Sequence, residues 1–182
     1  MIRIYKSSVI DAPVDLVWSK IRDFNGLPTW HPAVADSAIE DGHPSDKVGC
    51  IRNFNLQDGG NIREQLLAHR DIEYYTTYSI LESPMPVAGY VATIKLTEIT
   101  DGDRSFIEWS AEFDTDAEPD MRALIGDGVF QGGFDARTQI GAGRVEIDPD
   151  LQPRPAFARH RGIGERGVRL QLDVSQLRLI GS

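Results

Sequence analysis

Two residues of opposite charge, Arg52 and Glu64, have the types and spacing best suited to chemistry in this 182-residue chain. They lie in a segment, 48–68, whose two halves have the pattern of a β-hairpin. Arginine presents a fixed fork of hydrogen-bond donors and stays charged, whereas glutamate accepts hydrogen bonds or transfers a proton. Side by side, they would bind and polarise an oxygen atom of a ligand. The alternative is a salt bridge that ties two strands together inside a wet cavity.

The register of the hairpin decides whether these side chains meet. Gln57-Asp58-Gly59 forms a three-residue connection with glycine last, where a left-handed residue closes such loops. Pairing Leu56 with Gly60 then places Arg52 opposite Glu64. Because side chains alternate along a strand, the charge pair shares its face with six apolar residues. These are Val48, Cys50, Phe54, Ile62, Leu66 and Ala68. Charged groups in such a face are costly to desolvate and need a reason to be there.

The elements that must position this hairpin are separated by turn signals. Residues 2–10 have an extended pattern, and Asp11-Ala12-Pro13 predicts the start of a helix capped by the aspartate. Residues 27–32 are too rich in proline for more than a short turn or broken helix. Strands are predicted at about 34–40, 47–56, 60–69, 72–82, 88–100 and 104–114. Consecutive hairpins indicate an antiparallel meander.

Alternation along the strands predicts which side chains point inward. Pairing Ala68 with Ile72 would put four residues of the next strand on the Glu64 side, namely Tyr74, Thr76, Tyr78 and Ile80. The last two strands would turn eight residues inward, namely Tyr90, Ala92, Ile94, Leu96, Ile107, Trp109, Ala111 and Phe113. Tyr74, Tyr78 and Tyr90 are candidate hydroxyl donors to a ligand, although packing is the commoner role of such tyrosines. Trp109 is expected in the wall or the core.

A second helix is predicted to begin around Pro119, introduced by Asp116 or Glu118. Its apolar stripe consists of Met121, Leu124, Ile125, Val129, Phe130 and Phe134. Four glycines interrupt this helix, at 126, 128, 132 and 133, and each costs about 1 kcal/mol relative to alanine. They indicate either a close approach to the sheet or room kept for something beneath, and a kink is the alternative.

Further candidate residues lie at the expected rim of the cavity. Trp30 and His31 form one part of the rim, and the loop 83–87 forms another. His31 is a possible proton shuttle, but a surface position is the commoner one for a histidine before proline. Cys50 is expected to be a buried, inert thiol, because no histidine is placed to activate it. We therefore assign Arg52 and Glu64 as candidate catalytic residues. The candidate ligand-binding residues are Trp30, His31, Cys50, Phe54, Tyr74, Tyr78, Tyr90, Trp109 and Phe130.

Composition argues against several other classes of function. The formal net charge of −9 argues against binding to nucleic acid, which requires a basic surface. The four histidines show no metal-ligand spacing, a single cysteine forms no zinc set, and no phosphate-binding glycine motif is present, so no metal or cofactor is predicted. The sequence has no apolar run long enough to cross a membrane and no secretory signal at its start. A reducing, cytoplasmic location is expected.

A change in charge divides the chain near residue 140. Residues 137–182 hold 8 arginines and 5 acids, a balance of +3, which leaves −12 for residues 1–136. This predicts a ligand-binding domain over 1–140 and an arginine-rich extension over 141–182. Residues 168–174 alternate strictly, so a strand is plausible there. Such a strand would join a sheet edge, pair with another subunit in a homodimer, or remain unstructured in the monomer.

The order of elements is that of an α+β helix-grip fold, in which a curved antiparallel sheet wraps a long helix around an internal cavity. The chain resembles the polyketide cyclase/dehydrase and lipid-transport family of the START-related (SRPBCC) superfamily over roughly residues 3–138. The resemblance is carried by segments 10–18, 23–32, 48–52, 63–66, 78–80, 89–93 and 107–109. Members include carriers, hormone receptors, cyclases and other enzymes, so the family implies a fold more than an activity.

A local motif adds a second resemblance. Gly49-Cys50-Ile51-Arg52, followed by a strand that bears Glu64, is similar to the plant lachrymatory-factor synthases. That similarity implies an inward arginine and glutamate that act on a small sulfenic acid. Our first hypothesis is a protein that binds a small hydrophobic or aromatic molecule bearing oxygen. The alternatives are a cyclase, dehydratase or isomerase using Glu64 as acid or base and Arg52 as oxyanion stabiliser, and an assembly role for the arginine-rich extension.

Overall fold

A seven-stranded antiparallel sheet forms the frame of the protein in a computed structural model, which describes residues 1–136. Its strands are β1 (Ile2–Ile10), β2 (Val34–Ile39), β3 (Ile51–Leu56), β4 (Asn61–Arg70), β5 (Tyr75–Glu82), β6 (Ala88–Ile99) and β7 (Arg104–Asp114). Their order is β1-β7-β6-β5-β4-β3-β2, so the predicted meander is confirmed and β1 pairs with the last strand. The predictions for the extension 141–182 lie outside the described residues.

Helical segments connect and cover the sheet. Helix α1 spans Val14–Ile21, and 3₁₀ turns follow at Phe24–Thr29 and Glu40–Gly42. The capping prediction for Asp11 is wrong, because the extended Pro13 is the N-cap residue and no side chain caps the helix. Helix α2 (Glu118–Arg122) continues without a break into a π-helix (Ala123–Gln131) and returns to α-helical turns at 132–136. We call 118–136 the long helix. None of the described helices is long and apolar enough to cross a membrane.

The inner face of the sheet forms the core as its alternation predicted. The eight inward residues predicted for β6 and β7 are all buried. On the long helix, Ile125 and Phe130 are buried five positions apart, whereas Leu124 is exposed. A π-helix closes its hydrogen bonds over five residues rather than four, which brings positions i and i+5 toward the same side. The widened turns therefore explain why Leu124 of the predicted stripe does not pack on the sheet.

The hairpin of β3 and β4 has the predicted register, with one correction. Arg52 pairs with Glu64 and Phe54 with Ile62. Val48, however, is 56% exposed and does not join the inward face. The amide of Cys50 donates to the carbonyl of Lys47, so the chain turns here instead of continuing the predicted strand from 47.

The register predicted between β4 and β5 is wrong. Ile72 is 83% exposed in a turn, and Leu66 pairs with Tyr78 rather than with Tyr74. Two features displace the pairing: the turn is longer than the pattern suggested, and an irregularity lies between Leu66 and Ala68. The displacement preserves the alternation, so Tyr78 still faces the same side as Glu64 and is buried.

One of the four helix glycines, Gly133, is required by close packing against the sheet. A Cβ atom at Gly133 would lie 2.9 Å from Cζ3 of Trp109, closer than real Cβ atoms come. At Gly126 it would be 3.5 Å from a methyl of Ile4, which is ordinary contact. A Cβ at Gly132 would meet nothing within 4 Å. The prediction of a close approach to the sheet therefore holds at Gly133. The sheet and helix together define an α+β helix-grip fold.

Candidate functional site

A cavity of about 560 Å³ lies between the inner face of the sheet and the long helix. Seven of the candidate residues line it, namely His31, Arg52, Phe54, Glu64, Tyr78, Tyr90 and Trp109. Most of the remaining lining is apolar and includes Leu27, Val34, Ile62, Ile80, Met85, Met121, Leu124, Ile125 and Val129. The volume is in the range of cavities that hold small organic molecules.

Four candidate residues do not line this cavity. Cys50 is fully buried, and its thiol points to the carbonyl of Ser45 at 3.7 Å. Burial raises the pKa of that thiol, in agreement with the prediction of an inert cysteine. Tyr74 precedes β5 in a left-handed conformation, and its hydroxyl donates to Asp15 at 2.7 Å.

The other two belong to an aromatic cluster behind the cavity. The ring of Phe130 stacks on Trp109 with centroids 4.5 Å apart and is fully buried. Trp30 packs against both His31 and Trp109 and borders a separate hollow. Both residues therefore support Trp109, which itself lines the cavity.

Arg52 and Glu64 meet at the cavity as the register predicted. Nε of Arg52 donates to Oε2 of Glu64 at 2.7 Å, and Nη2 lies 2.5 Å from the same oxygen. Both side chains are more than nine-tenths buried. The second carboxylate oxygen, Oε1, accepts no hydrogen bond from any described residue. The pair is therefore two-to-one, with both arginine nitrogens on one oxygen.

A backbone carbonyl and three rings complete the surroundings of Arg52. Its Nη1 donates to the carbonyl of Phe24 at 2.7 Å. Its Cζ atom lies 4.0 Å from the ring centroid of Phe24, 5.1 Å from that of Tyr78 and 5.4 Å from that of Phe54. Cations are attracted to the faces of such rings. The guanidinium is thus fixed by the 3₁₀ segment as well as by β4.

Burial sets the acidity of Glu64. Removal from water raises the pKa of this carboxyl above its ordinary 4.5, and the charge and hydrogen bonds of Arg52 oppose the rise without cancelling it. A carboxylate with a raised pKa is a better proton acceptor at a given ionised fraction, which is the usual tuning of a general base.

Two tyrosines supply hydroxyl groups next to this pair. Nε1 of Trp109 donates to the hydroxyl oxygen of Tyr78 at 3.0 Å. Burial raises the pKa of Tyr78 and of Tyr90, and the charge of Glu64 raises both further. Both hydroxyls therefore keep their protons at neutral pH. We call Arg52, Glu64, Tyr78 and Tyr90 the polar cluster.

His31 is buried, which corrects the expectation of a surface residue. Its Nδ1 accepts from the amide of Ala33 at 3.3 Å, so Nε2 carries the proton and donates to the carbonyl of Val129 at 3.1 Å. The imidazole thereby joins the loop before β2 to the π-helical part of the long helix. This arrangement holds the long helix over the cavity.

Sequence reasoning missed one contributor to the site. Phe24 gives Arg52 both a carbonyl and a ring face, yet nothing in its residue type distinguished it from core. The loop 83–87, which was predicted to form part of the rim, contributes Met85 to the cavity lining. Among residues 1–136, no group of three or more histidine, cysteine, aspartate and glutamate side chains could hold a metal ion.

The fold and the cavity define a helix-grip protein whose apolar interior carries a buried charge pair. The chain belongs to the polyketide cyclase/dehydrase and lipid transport family, whose model matches residues 1–146. The more local likeness to lachrymatory-factor synthases is not shown by these comparisons and stays a prediction.

Solved structures agree with the family. The chain is 30% identical to a protein of Bacillus thuringiensis, with a TM-score of 0.70 over 78% of this chain and 100% of that one. It is 31% identical to protein XoxI of Bacillus cereus, with a TM-score of 0.70 over 78% of this chain and 96% of that one. A protein of Thermobifida fusca is 25% identical, with a TM-score of 0.70 over 78% and 94%. No curated protein sequence matches the chain.

Proposed function

We propose that this protein binds a small, largely apolar molecule that carries oxygen at one end. One observation supports this above the others: a fully buried charge pair lies on a cavity whose lining is otherwise mostly apolar. Burial of apolar ligand surface supplies affinity, at about 0.8 kcal/mol for each methylene group. The polar cluster would orient the oxygen-bearing end. A family described by lipid transport is consistent with such a ligand.

Titration with 2-acetylnaphthalene tests this function, since the probe combines an apolar ring system with one carbonyl. We expect saturable binding by isothermal calorimetry. The variant Gly128→Leu adds a side chain at the cavity lining, where a Cβ meets only Leu124, and should weaken binding at least about tenfold by occupying that space.

Gly132→Leu is the matched control, because the same change falls on the same helix at a position that does not line the cavity. It should leave the affinity within about twofold of the parent. The proposal fails if neither 2-acetylnaphthalene nor its hydroxyl counterpart 2-naphthol binds saturably. It also fails if both leucine variants bind it equally well.

A second candidate function, proton transfer, is favoured by the free Oε1 atom and raised pKa of Glu64. In this proposal Glu64 removes a proton from the carbon next to a ligand carbonyl. The C–H bonding pair forms the new C=C bond, the carbonyl π pair moves onto the oxygen, and hydrogen bonds from Arg52 and Tyr78 stabilise the resulting enolate. Return of a proton to carbon restores the carboxylate. Cyclases and isomerases use this elementary step.

Deuterium exchange separates a carrier from such an enzyme. In D₂O, proton NMR would follow loss of the methyl signal of 2-acetylnaphthalene. An enzyme should exchange these protons well above the buffer rate, and Glu64→Gln should abolish the excess while binding persists. Exchange at the buffer rate with binding intact would leave binding as the function and remove the enzymatic one.

A further inference from the structure

The unused oxygen of Glu64 indicates what the polar end of a ligand must offer. Arg52 meets Glu64 only at Oε2, through the hydrogen bond from Nε and the close ion-pair contact of Nη2, and no described residue donates to Oε1. The Glu64 side chain is only 7% exposed, but it lines the cavity, and Oε1 is not one of the fully buried atoms that lack a partner. A ligand in the cavity that supplies a donor therefore gains a hydrogen bond to a charged acceptor that no described residue satisfies.

The surroundings of Oε1 supply a donor for the same ligand group. The hydroxyl oxygen of Tyr78 already accepts from Trp109, which leaves its proton free to be donated. Tyr90 lies close enough to Glu64 for the carboxylate charge to raise its pKa, and its hydroxyl donates to that of Tyr78. The polar cluster therefore combines one unused acceptor with the hydroxyl proton of Tyr78. A hydroxyl group, which donates and accepts at once, matches this combination, whereas an ether or ketone oxygen only accepts.

The charges of the lining disfavour an anionic ligand. Arg52 is already neutralised by Glu64 at short range. Among residues 1–136, the only other acidic residue that lines the cavity is Asp58, in the turn between β3 and β4. A ligand carboxylate would thus meet two negative side chains and one cation that is already paired, inside a protein of net charge −9. Like charges in a site of low dielectric repel strongly.

We propose that the cavity selects neutral ligands with a hydroxyl group at the polar end, such as phenols, enols and alcohols, and discriminates against their ethers and against carboxylates. This inference rests on the proposed binding function and names its ligand class. The donor–acceptor arrangement at Glu64 Oε1 is the feature that makes the distinction.

Three probes of one ring system test the selectivity: 2-naphthol, 2-methoxynaphthalene and 2-naphthoate. At about pH 7 the naphthol should bind at least about tenfold more tightly than the methyl ether, as expected for a hydrogen bond to a charged acceptor. The naphthoate should bind more weakly than the naphthol. Equal affinity for naphthol and ether, or tightest binding of the naphthoate, would overturn the inference.

The variant Glu64→Gln should replace the acceptor Oε1 by an amide nitrogen, which donates. Since Arg52 needs an acceptor, the amide oxygen should take the place of Oε2 and the amide nitrogen that of Oε1. The preference for naphthol over its ether should then fall to about twofold or less. Glu108→Gln makes the same change at a residue outside the cavity lining, where Glu108 accepts from Tyr5, and should retain the preference. An unchanged preference in Glu64→Gln would contradict the assignment.

A measurement on the unsubstituted protein covers the case in which the variant does not fold. As pH falls through the raised pKa of Glu64, Oε1 gains a proton and becomes a donor. The ratio of naphthol to ether affinity should therefore shrink between about pH 8 and about pH 4. Within the described part of the chain, the other titratable or charged residues on this cavity are Arg52, Tyr78, Tyr90, His31 and Asp58. A constant tenfold ratio over this range would contradict the role of Oε1.

The two proposals fail in different ways. If neither 2-acetylnaphthalene nor any of the three probes binds, the binding function itself is wrong. If 2-acetylnaphthalene binds and naphthol has no advantage over its ether, the cavity binds ligands and only the selectivity is wrong.

Discussion

At the residue scale, both Nε and Nη2 of Arg52 lie against a single carboxylate oxygen of Glu64. Glycine at the end of the turn and alternation along two strands fixed the register that brings Glu64 opposite. Whether both arginine nitrogens fall on one oxygen depends on side-chain rotamers, which neighbours such as Phe24 decide. Phe24 lies 28 positions from Arg52 in the chain, and no pattern of residue types announces that contact.

The raised pKa of Glu64 predicts a distinctive dependence of stability on pH. The unfolded carboxyl titrates near its ordinary 4.5, and the folded one titrates higher because it is buried. The folded protein therefore binds the proton more tightly, and this contribution to stability is present below pH 4.5 and lost as pH rises through the folded pKa. Each unit of elevation corresponds to about 1.4 kcal/mol.

Urea unfolding at a series of pH values measures this contribution. The free energy of unfolding of the parent minus that of Glu64→Gln should decrease as pH rises from about 4 to about 8, because only the parent titrates at this position. An increase of that difference with pH would mean that Arg52 lowers the folded pKa more than burial raises it.

A double-mutant cycle should show how the pair is balanced. Arg52→Met leaves a buried carboxylate without its cation and should cost about 3–5 kcal/mol of stability. Adding Glu64→Leu removes the unpaired charge, so the double variant should be more stable than Arg52→Met alone. Denaturant unfolding of the parent, both singles and the double gives the coupling. A double variant that loses the full sum of the single losses would show that the pair is not coupled.

At the element scale, the alternation of inward and outward side chains was predicted more reliably than the positions at which the strands begin. Tyr78 faces the cavity as expected although its predicted partner on β4 was wrong, because alternation depends only on odd or even position. The length of the turn before β5 and the irregularity after Leu66 are backbone features with no strong residue signal. Likewise the apolar stripe predicted a helix over 121–134, but not its π-helical turns, whose backbone is set by the fit to the sheet.

Two neighbouring glycines of the long helix should respond oppositely to alanine. Gly133→Ala would force a Cβ atom to within 2.9 Å of Trp109 and should destabilise the protein by about 1–3 kcal/mol. Gly132→Ala meets nothing within 4 Å and should stabilise it by up to about 1 kcal/mol through helix propensity. Thermal unfolding of the two variants beside the parent measures both. Equal effects at the two positions would mean that the long helix does not approach Trp109 this closely.

At the scale of the whole molecule, composition and element order indicated the helix-grip fold, and the family match over residues 1–146 agrees. The solved relatives are aligned over 94–100% of their own lengths by 78% of this chain. The solved chains therefore extend little beyond the aligned domain. The boundary near 140 and the role of the arginine-rich extension remain predictions. They rest on charge and on alternation, which are local patterns and do not identify what the segment would contact.

Truncation after Glu146 tests both predictions. Among residues 1–136, every residue that lines the cavity falls between Leu27 and Val129, so the shortened chain should bind 2-acetylnaphthalene within about twofold of the full chain. If the extension mediates self-association, light scattering should report a smaller oligomer for the shortened chain. An unchanged oligomeric state would count against the assembly role. Loss of binding with the fold intact would show that the extension contributes to the site.

The hydrogen bonds that hold Arg52 in place have a practical consequence for the redesign of this protein. A carboxylate and a backbone carbonyl hold the guanidinium by hydrogen bonds, so its position does not depend on which aliphatic groups fill the rest of the hollow. Ile80 and Met85, by contrast, offer only shape. Exchanging such side chains for larger or smaller ones would change which ligands fit the cavity, while the hydrogen bonds that position Arg52 are kept.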